Sequence, residues 1–68
     1  MEQPYRITSR DGAHVITFPG ESAEIVCRAD ATYAAIFASA YARLAHVSDS
    51  LARLDLAEEE ADQLTARL

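Results

Sequence analysis

Apolar and polar positions alternate along the first third of the chain, which predicts β-strands. Residues 5–8 follow the period of two that is expected of a half-buried strand. An Asp-Gly pair at 11–12 comes next, and both residue types tolerate the positive φ angles of a tight hairpin turn. Residues 13–18 form a second run rich in β-branched side chains, and residues 23–27 form a short third run. The pattern predicts a three-stranded antiparallel meander with its strands within residues 4–28.

At Asp30 the pattern changes to spacings of three and four residues, which is the period of a helix. The apolar positions that follow this spacing are Tyr33, Phe37, Ala40, Leu44, Val47, Leu51 and Leu54. Aspartate is a favoured N-cap, so we predict a helix that begins after Asp30 and continues at least to His46. The opposite side carries small side chains only, at Ala31, Ala35, Ala38, Ala42 and Ala45. A helix this apolar is expected to be the most buried element of the fold.

Residues 48–50 interrupt this pattern, because serine and aspartate side chains compete for backbone hydrogen bonds. Either a bent continuous helix or a new short helix fits this segment. Further along, Asp55 and Glu58 have the spacing of a capping box, which predicts that a helix begins at Asp55. The inner stripe of this helix would be Ala57, Ala61, Leu64 and Leu68.

The length and the apolar content limit the fold to one small domain. The chain has 68 residues, of which 34 are hydrophobic, but 14 of these are alanine and only 20 are larger. We therefore predict a single α+β domain over residues 1–68, with the sheet packed against two or three helices within residues 30–68. The helix residues expected to meet the inner face of the sheet are Phe37, Ala40, Leu44 and Val47.

Few residues are of the kinds that carry catalysis or bind a cofactor. His14 and His46 are the only histidines and Cys27 is the only cysteine, and no pair of them has the spacing of zinc ligands. We expect His14 to point outward from the second strand, on the face opposite Val15, and Cys27 to be a small buried hydrophobe. Both glycines are explained by turns, so no loop can cradle a phosphate. The sequence predicts no catalytic residue, no cofactor, no metal ion and no enzymatic activity.

We expect no membrane segment. Residues 1–20 carry several charges and alternate in polarity, unlike a signal peptide. The longest uncharged run lies between Asp30 and Arg43 and has 12 residues, which as a helix would span about 18 Å of a roughly 30 Å hydrocarbon core. With one cysteine the domain has no internal disulfide, so a reducing cytoplasm is the expected compartment.

The formal net charge is −5, and nearly all of it lies at the C-terminal end. Residues 1–54 hold six acids and five arginines, whereas residues 55–68 hold five acids and one arginine. This acidic balance argues against direct binding of nucleic acid. The five acids are Asp55, Glu58, Glu59, Glu60 and Asp62. They form either a solvated helix face or an acidic surface that binds a basic groove of a protein partner in place of nucleic-acid phosphates.

A short, acidic, cysteine-poor α+β chain with this acidic segment resembles the small phage-encoded anti-CRISPR proteins that inhibit type I systems. The resemblance is one of size, charge and compact design. It implies an inhibitor that acts in the host cytoplasm, binds an RNA-guided surveillance complex and blocks target DNA. The residues from Asp55 to Asp62 would then contact the partner protein.

The alternative is a small homodimeric structural or regulatory module. In that case the stripe from Tyr33 to Leu54 and the alanine side would form an interface between two copies, and the acids would keep the dimer soluble. A chain with few large side chains often completes its core by association.

Overall fold

The computed structural model describes residues 4–22 and 24–68 as a three-stranded sheet followed by two helices. The strands are β1 (Arg6–Arg10), β2 (Ala13–Thr17) and β3 (Glu24–Cys27), and the helices are α1 (Ala31–Arg43) and α2 (Ser50–Thr65). All strand pairs are antiparallel and the order in the sheet is β1-β2-β3. The predicted α+β class and the N-terminal meander are therefore confirmed. Neither of the described helices is long and apolar enough to cross a membrane.

The hairpin between β1 and β2 closes through the predicted two-residue turn. Asp11 has φ 52° and Gly12 has φ 76°, the pair of left-handed conformations that a type I′ turn requires. The turn places Arg10 opposite Ala13, and the register continues to the pair Arg6 and Thr17. The turn chemistry thus sets which side chains share a face of the sheet.

One face of the sheet is covered by the helices. Ile7, Ile16 and Ile25 are aligned across the three strands on this face, and Ile16 is fully buried in the core. Since the side chains of a strand alternate, His14 lies on this same covered face. Its placement opposite Val15 is as predicted, but the expectation that it points outward is wrong, because the helices pack on its side of the sheet.

The other face carries Thr8, Val15 and Val26 in one row across the strands. Val15 is only 2 % exposed although this face lies away from the core cluster. Arg10 and Glu24 on the outer strands form an ion pair of 3.2 Å. Their positions in the register place this pair diagonally across the strand that carries Val15.

Helix α1 begins as predicted and ends earlier than predicted. The Asp30 carboxylate accepts a hydrogen bond of 2.8 Å from the Tyr33 N–H, so Asp30 is the N-cap. The helix ends at Arg43, because the φ and ψ angles of Leu44 are no longer helical. The N–H of Leu44 donates to the Ala40 and Tyr41 carbonyls, both at 3.2 Å. The prediction that this helix reaches His46 is therefore wrong.

Helix α2 is a separate helix that begins at Ser50. The Asp49 carboxylate accepts hydrogen bonds from the N–H groups of Leu51 and Ala52, at 3.0 and 3.4 Å. The predicted helix start at Asp55 is wrong, because Asp49 already satisfies donors of the first turn and Asp55 lies inside the helix. The turn between the helices also breaks the apolar stripe, so Leu51 is 74 % exposed.

The core is built from aromatic rings and alanines. The rings of Tyr33, Phe37 and Tyr41 follow one another along α1 with centroids 6.4 and 6.2 Å apart, and Phe18 lies 4.8 Å from Tyr41. Ala38 on α1 and Ala57 and Ala61 on α2 are fully buried, and such small side chains let packed backbones come close.

Most of the residues expected to build the core do so. Phe37 and Ala40 are buried, and Leu44 packs against the core cluster. In α2 the predicted stripe is correct at its two alanines. It is wrong at Leu68, which lies beyond the end of the helix and is 84 % exposed.

Candidate protein-binding surface

Four of the five predicted partner-binding acids share one solvent-facing side of α2. Asp55, Glu58, Glu59 and Asp62 stand at positions i, i+3, i+4 and i+7, which is the repeat of one helix face. All four are exposed, and among the described residues none of them forms a salt bridge. We call these four residues the acidic face. They are brought together as an uncompensated group of like charges.

The fifth acid, Glu60, is separated from the acidic face. It points to the α1 side of the helix, where its Oε1 atom lies 2.9 Å from Nη2 of Arg43. Glu60 is half-buried, and its charge is neutralised within the chain. It therefore joins the two helices and is not part of the acidic face.

The acidic face points to solvent because the opposite side of α2 is committed to the core. The buried residues of α2 are Arg53, Ala57 and Ala61, which lie across the helix from the midpoint of the acidic face. The expectation that Asp55 and Glu58 stabilise a helix start is wrong, since both lie well inside α2. Their carboxylates are available for contacts outside the chain.

One border of the acidic face adjoins a groove between α2, α1 and β3. The groove has a volume of about 490 Å³, and its lining comprises Ile25, Val26, Cys27, Arg28, Ala29, Tyr33, Phe37, Leu54 and Glu58. Its floor is apolar and its two sides carry opposite charges, at Arg28 and Glu58. Here the acidic face meets apolar surface and the edge of β3.

Burial and the nearby negative charges of this region both affect the pKa of Tyr33. Its pKa is raised from 10.0 to about 12, first by burial and then by the neighbouring Asp62 carboxylate, with smaller contributions from Glu58 and Cys27. Each of these effects disfavours the phenolate. The phenol therefore stays neutral beside the acidic face over the physiological pH range.

The structure gives Arg53 a role that the sequence pattern did not predict. Arg53 is only 9 % exposed, its Nε donates a 2.9 Å hydrogen bond to the Tyr41 carbonyl, and its guanidinium lies 3.8 Å from the centroid of the Tyr41 ring. Its Nη1 is 3.6 Å from Glu21 in the loop after β2. The side chain thus joins the C-terminal end of α1, the aromatic core and this loop, which fixes the orientation of α2.

The position of Arg53 in the sequence could have indicated its burial. It lies twelve residues after Tyr41 and one turn before Ala57 on the inner side of α2, where the pattern predicts an apolar residue. Its burial was not predicted, because arginine side chains are mostly exposed.

The residues with catalytic or metal-binding side chains are dispersed. His14 Nδ1 lies 3.1 Å from the Ala29 carbonyl, His46 is exposed in the turn after α1, and Cys27 is half-buried. Within residues 4–22 and 24–68, no group of three or more histidine, cysteine or carboxylate side chains is arranged to hold a metal ion. These side chains do not converge on a shared site.

The comparisons with known proteins identify no relative. No protein-family model, no curated protein and no solved structure matches this chain.

Proposed function

We propose that this chain is a small protein inhibitor that binds a nucleic-acid-handling complex through the acidic face of α2. The partner surface would be a basic groove that otherwise holds DNA, as in the RNA-guided complexes that anti-CRISPR proteins block. The observation that supports this proposal is the alignment of Asp55, Glu58, Glu59 and Asp62 on one exposed side, where no salt bridge within residues 4–22 and 24–68 neutralises them. The inhibitor would act in the cytoplasm of the host cell, and it needs no catalytic residue or cofactor.

The mean charge density of the acidic face is close to that of a nucleic-acid strand. Asp55 and Asp62 are seven residues apart, so the acidic face spans about 10.5 Å of helix axis. The three steps between its four carboxylates are about 4.5, 1.5 and 4.5 Å, with a mean of about 3.5 Å. A single strand of B-DNA carries one phosphate charge per about 3.4 Å of its axis. A groove whose arginines and lysines neutralise one strand can therefore neutralise a similar charge on this face.

The like charges of the acidic face repel one another, which suits a surface that binds a cationic partner. Like charges at i, i+3 and i+4 destabilise a helix slightly. Among the described residues no salt bridge offsets this cost, and contact with a cationic groove would remove it. Charge-assisted hydrogen bonds to such a groove contribute about 1.5–3 kcal/mol each.

The homodimeric alternative loses part of the surface that the sequence pattern suggests for it. Phe37 and Ala40 of that stripe are buried within the chain's own core, so these two side chains are not accessible to a second copy.

The test is a competition assay with a purified type I surveillance complex, its target DNA duplex and the full chain at two salt concentrations. We expect the chain to block DNA binding, and to do so less effectively as salt rises. The variant Asp55→Asn with Glu59→Gln removes two charges from the acidic face. We expect its affinity to fall on the order of tenfold or more per lost contact.

The matched control is Thr8→Lys with Ser9→Lys, which changes the net charge by the same amount at two exposed positions on β1, away from the acidic face. This control should retain most of the inhibition, because the four carboxylates remain. Equal loss in both variants would show that only net charge matters. Unchanged inhibition by the acidic-face variant would reject the acidic face as the binding surface.

A further inference from the structure

Strand β3 has an unpaired edge. The sheet order is β1-β2-β3, and within the described ranges no other strand pairs with β3. A two-residue hairpin loop closes on a hydrogen-bonded pair, here Arg10 and Ala13, and hydrogen-bonded and non-hydrogen-bonded pairs then alternate across the sheet. In this alternation the backbone groups of Ile25 and Cys27 point to β2, and those of Glu24 and Val26 point to the open edge.

The edge strand β3 is four residues long, but it carries neither lysine nor proline. Protected edges are commonly very short, carry lysine or proline, or are covered by a helix or loop. Here Val26 stands in the middle of the edge strand and is 55 % exposed. The groove beside it is lined by the apolar side chains of Tyr33, Phe37 and Leu54. An added strand would therefore gain backbone hydrogen bonds and an apolar pocket for its inward side chains.

The sequence of this edge is complementary to itself. Glu24 and Arg28 lie at equal distances from Val26 along the strand, on the same outward-facing side. If a second copy pairs antiparallel about Val26, Glu24 of each copy stands opposite Arg28 of the other and the two Val26 side chains meet at the two-fold axis. On the inward side, Ile25 stands opposite the partner's Cys27. Glu24 also pairs with Arg10 of its own chain, so Arg28 of the second copy would add a second cation beside the same carboxylate.

We propose that the edge of β3 is a self-association site, at which two copies of this chain form a continuous six-stranded antiparallel sheet. The two-fold axis passes between the two Val26 residues and is perpendicular to the sheet, so the helices of both copies lie on the same side. The inward-facing Ile25 and Cys27 of each copy extend the apolar floor of the other's groove. This proposal is independent of the acidic face and its partner.

The first test is sedimentation equilibrium of the full chain over a range of concentrations. We expect a concentration-dependent dimer. Val26→Lys places two like charges at the axis and removes the valine contact, which should raise the dimer dissociation constant about tenfold. Thr8→Lys is the matched control, because it adds the same charge in the same row of the same face but on β1, and it should leave the dimer intact.

A charge exchange tests the register. Arg28→Glu alone sets two carboxylates against each other at both ends of the paired strands and should weaken the dimer. Adding Glu24→Arg together with Arg10→Glu restores opposite charges between the copies, keeps an ion pair within each chain, and should recover the dimer. A non-additive recovery of this kind requires that the two positions face each other.

A disulfide reports the pairing directly. In the proposed register position 25 and the partner's position 27 form a non-hydrogen-bonded pair, with Cα atoms about 4.5 Å apart, which suits a disulfide. Ile25→Cys should therefore give a covalent dimer with the native Cys27 under mild oxidation. Ile25→Cys combined with Cys27→Ser should not, because the two introduced thiols lie diagonally apart.

The outcomes are decisive in either direction. A dimer that is weakened by Val26→Lys, kept by Thr8→Lys and linked through Ile25→Cys supports the site. A chain that stays monomeric at millimolar concentration, or a dimer that Val26→Lys leaves intact, overturns it. Failure of the competition assay with the surveillance complex would leave these measurements unaffected, so the two proposals can fail separately.

Discussion

The two helices of this fold are held in place in different ways. Helix α1 buries Phe37 and Tyr41 together with three alanines, whereas α2 buries only Ala57, Ala61 and Arg53. No large apolar side chain of α2 is fully buried. Helix α1 is thus fixed by aromatic packing, and α2 is fixed by close approach of its backbone and by one cation.

This difference explains how a chain with few large side chains can present a functional surface. The alanines of α2 occupy little of its circumference, so most of the helix stays accessible. Arg53 supplies the orientation that a leucine or phenylalanine would otherwise give, through the Tyr41 carbonyl and ring. As a result the acidic face is held on a defined side of the molecule without contributing to the core itself.

The largest effect is expected from the α1 side of this comparison. Phe37 is 4 % exposed and lies between Tyr33 and Tyr41. Phe37→Ala should lower the free energy of unfolding by about 3–5 kcal/mol, because it removes the central ring of the stack and leaves a cavity. The measurement is urea or thermal unfolding followed by circular dichroism. Leu51→Ala, at an exposed apolar site on α2, is the control, and a similar loss in both variants would show that the core does not depend on α1.

The second effect tests the cation that holds α2. Arg53→Met keeps the apolar length of the side chain but loses the hydrogen bond to the Tyr41 carbonyl and the contact with its ring. We expect a loss of about 2–3 kcal/mol in the free energy of unfolding. Arg53→Lys keeps the charge but not the planar fork, so it should recover only part of this stability. A variant with methionine that is as stable as the original chain would show that the charge is dispensable.

The fold was predictable where local chemistry decides the structure. The Asp-Gly turn sets the hairpin register, and the Asp30 carboxylate caps α1, and both effects act within a few residues. The periodicity also gave the correct inner positions in the middle of α1, since Phe37 and Ala40 are buried.

The sequence was less informative where contacts between distant residues decide the structure. The Tyr41 carbonyl in the last turn of α1 accepts a hydrogen bond from Arg53, twelve positions away. The Asp55–Glu58 spacing fits a capping box and so predicts a helix start at Asp55. Asp49, which lies in a segment of ambiguous pattern, is the actual cap.

The acidic surface was only partly predictable from sequence. A run of acids in the sequence does not show which of them point to the same side, and this depends on where the helix begins and on its buried face. Four of the five acids form the acidic face, whereas Glu60 pairs with Arg43 across the helix interface. Arg43 is seventeen positions away, so no local pattern could separate Glu60 from its neighbours.

A third effect concerns the alkaline limit of stability. The pKa of Tyr33 in the folded chain is raised to about 12 from 10.0, so the folded state holds this proton more tightly than the unfolded state does. The corresponding stability is complete below pH 10 and is lost as the pH rises from 10 to 12. Tyr33→Phe should flatten this part of the stability curve, as measured by urea unfolding at a series of pH values.

The carboxylates beside Tyr33 allow a finer test. Asp62→Asn removes a neighbouring charge and should lower the pKa of the phenol toward 10, as followed by the ultraviolet absorbance of the phenolate. Glu59→Gln removes a charge from the same acidic face but is not among the groups that act on Tyr33, so it should leave this titration nearly unchanged. Equal shifts in the two variants would indicate a diffuse field and not a specific contact.

The smallest effect compares the two kinds of carboxylate on α2. Glu60→Gln removes the exposed ion pair with Arg43, whose side chain is 60 % exposed, and should cost about 0.2–1 kcal/mol. Asp55→Asn removes a charge that faces Glu58 and Glu59 without a cation, so it should stabilise the helix by about 0.2–0.5 kcal/mol. The two substitutions change the net charge equally. The urea unfolding midpoints should nevertheless move in opposite directions, because one substitution removes an attraction and the other removes a repulsion. High salt should shrink both shifts, because both groups are solvent-exposed. If both midpoints fall, Asp55 has a stabilising partner within the chain, and its carboxylate is not free for a basic groove.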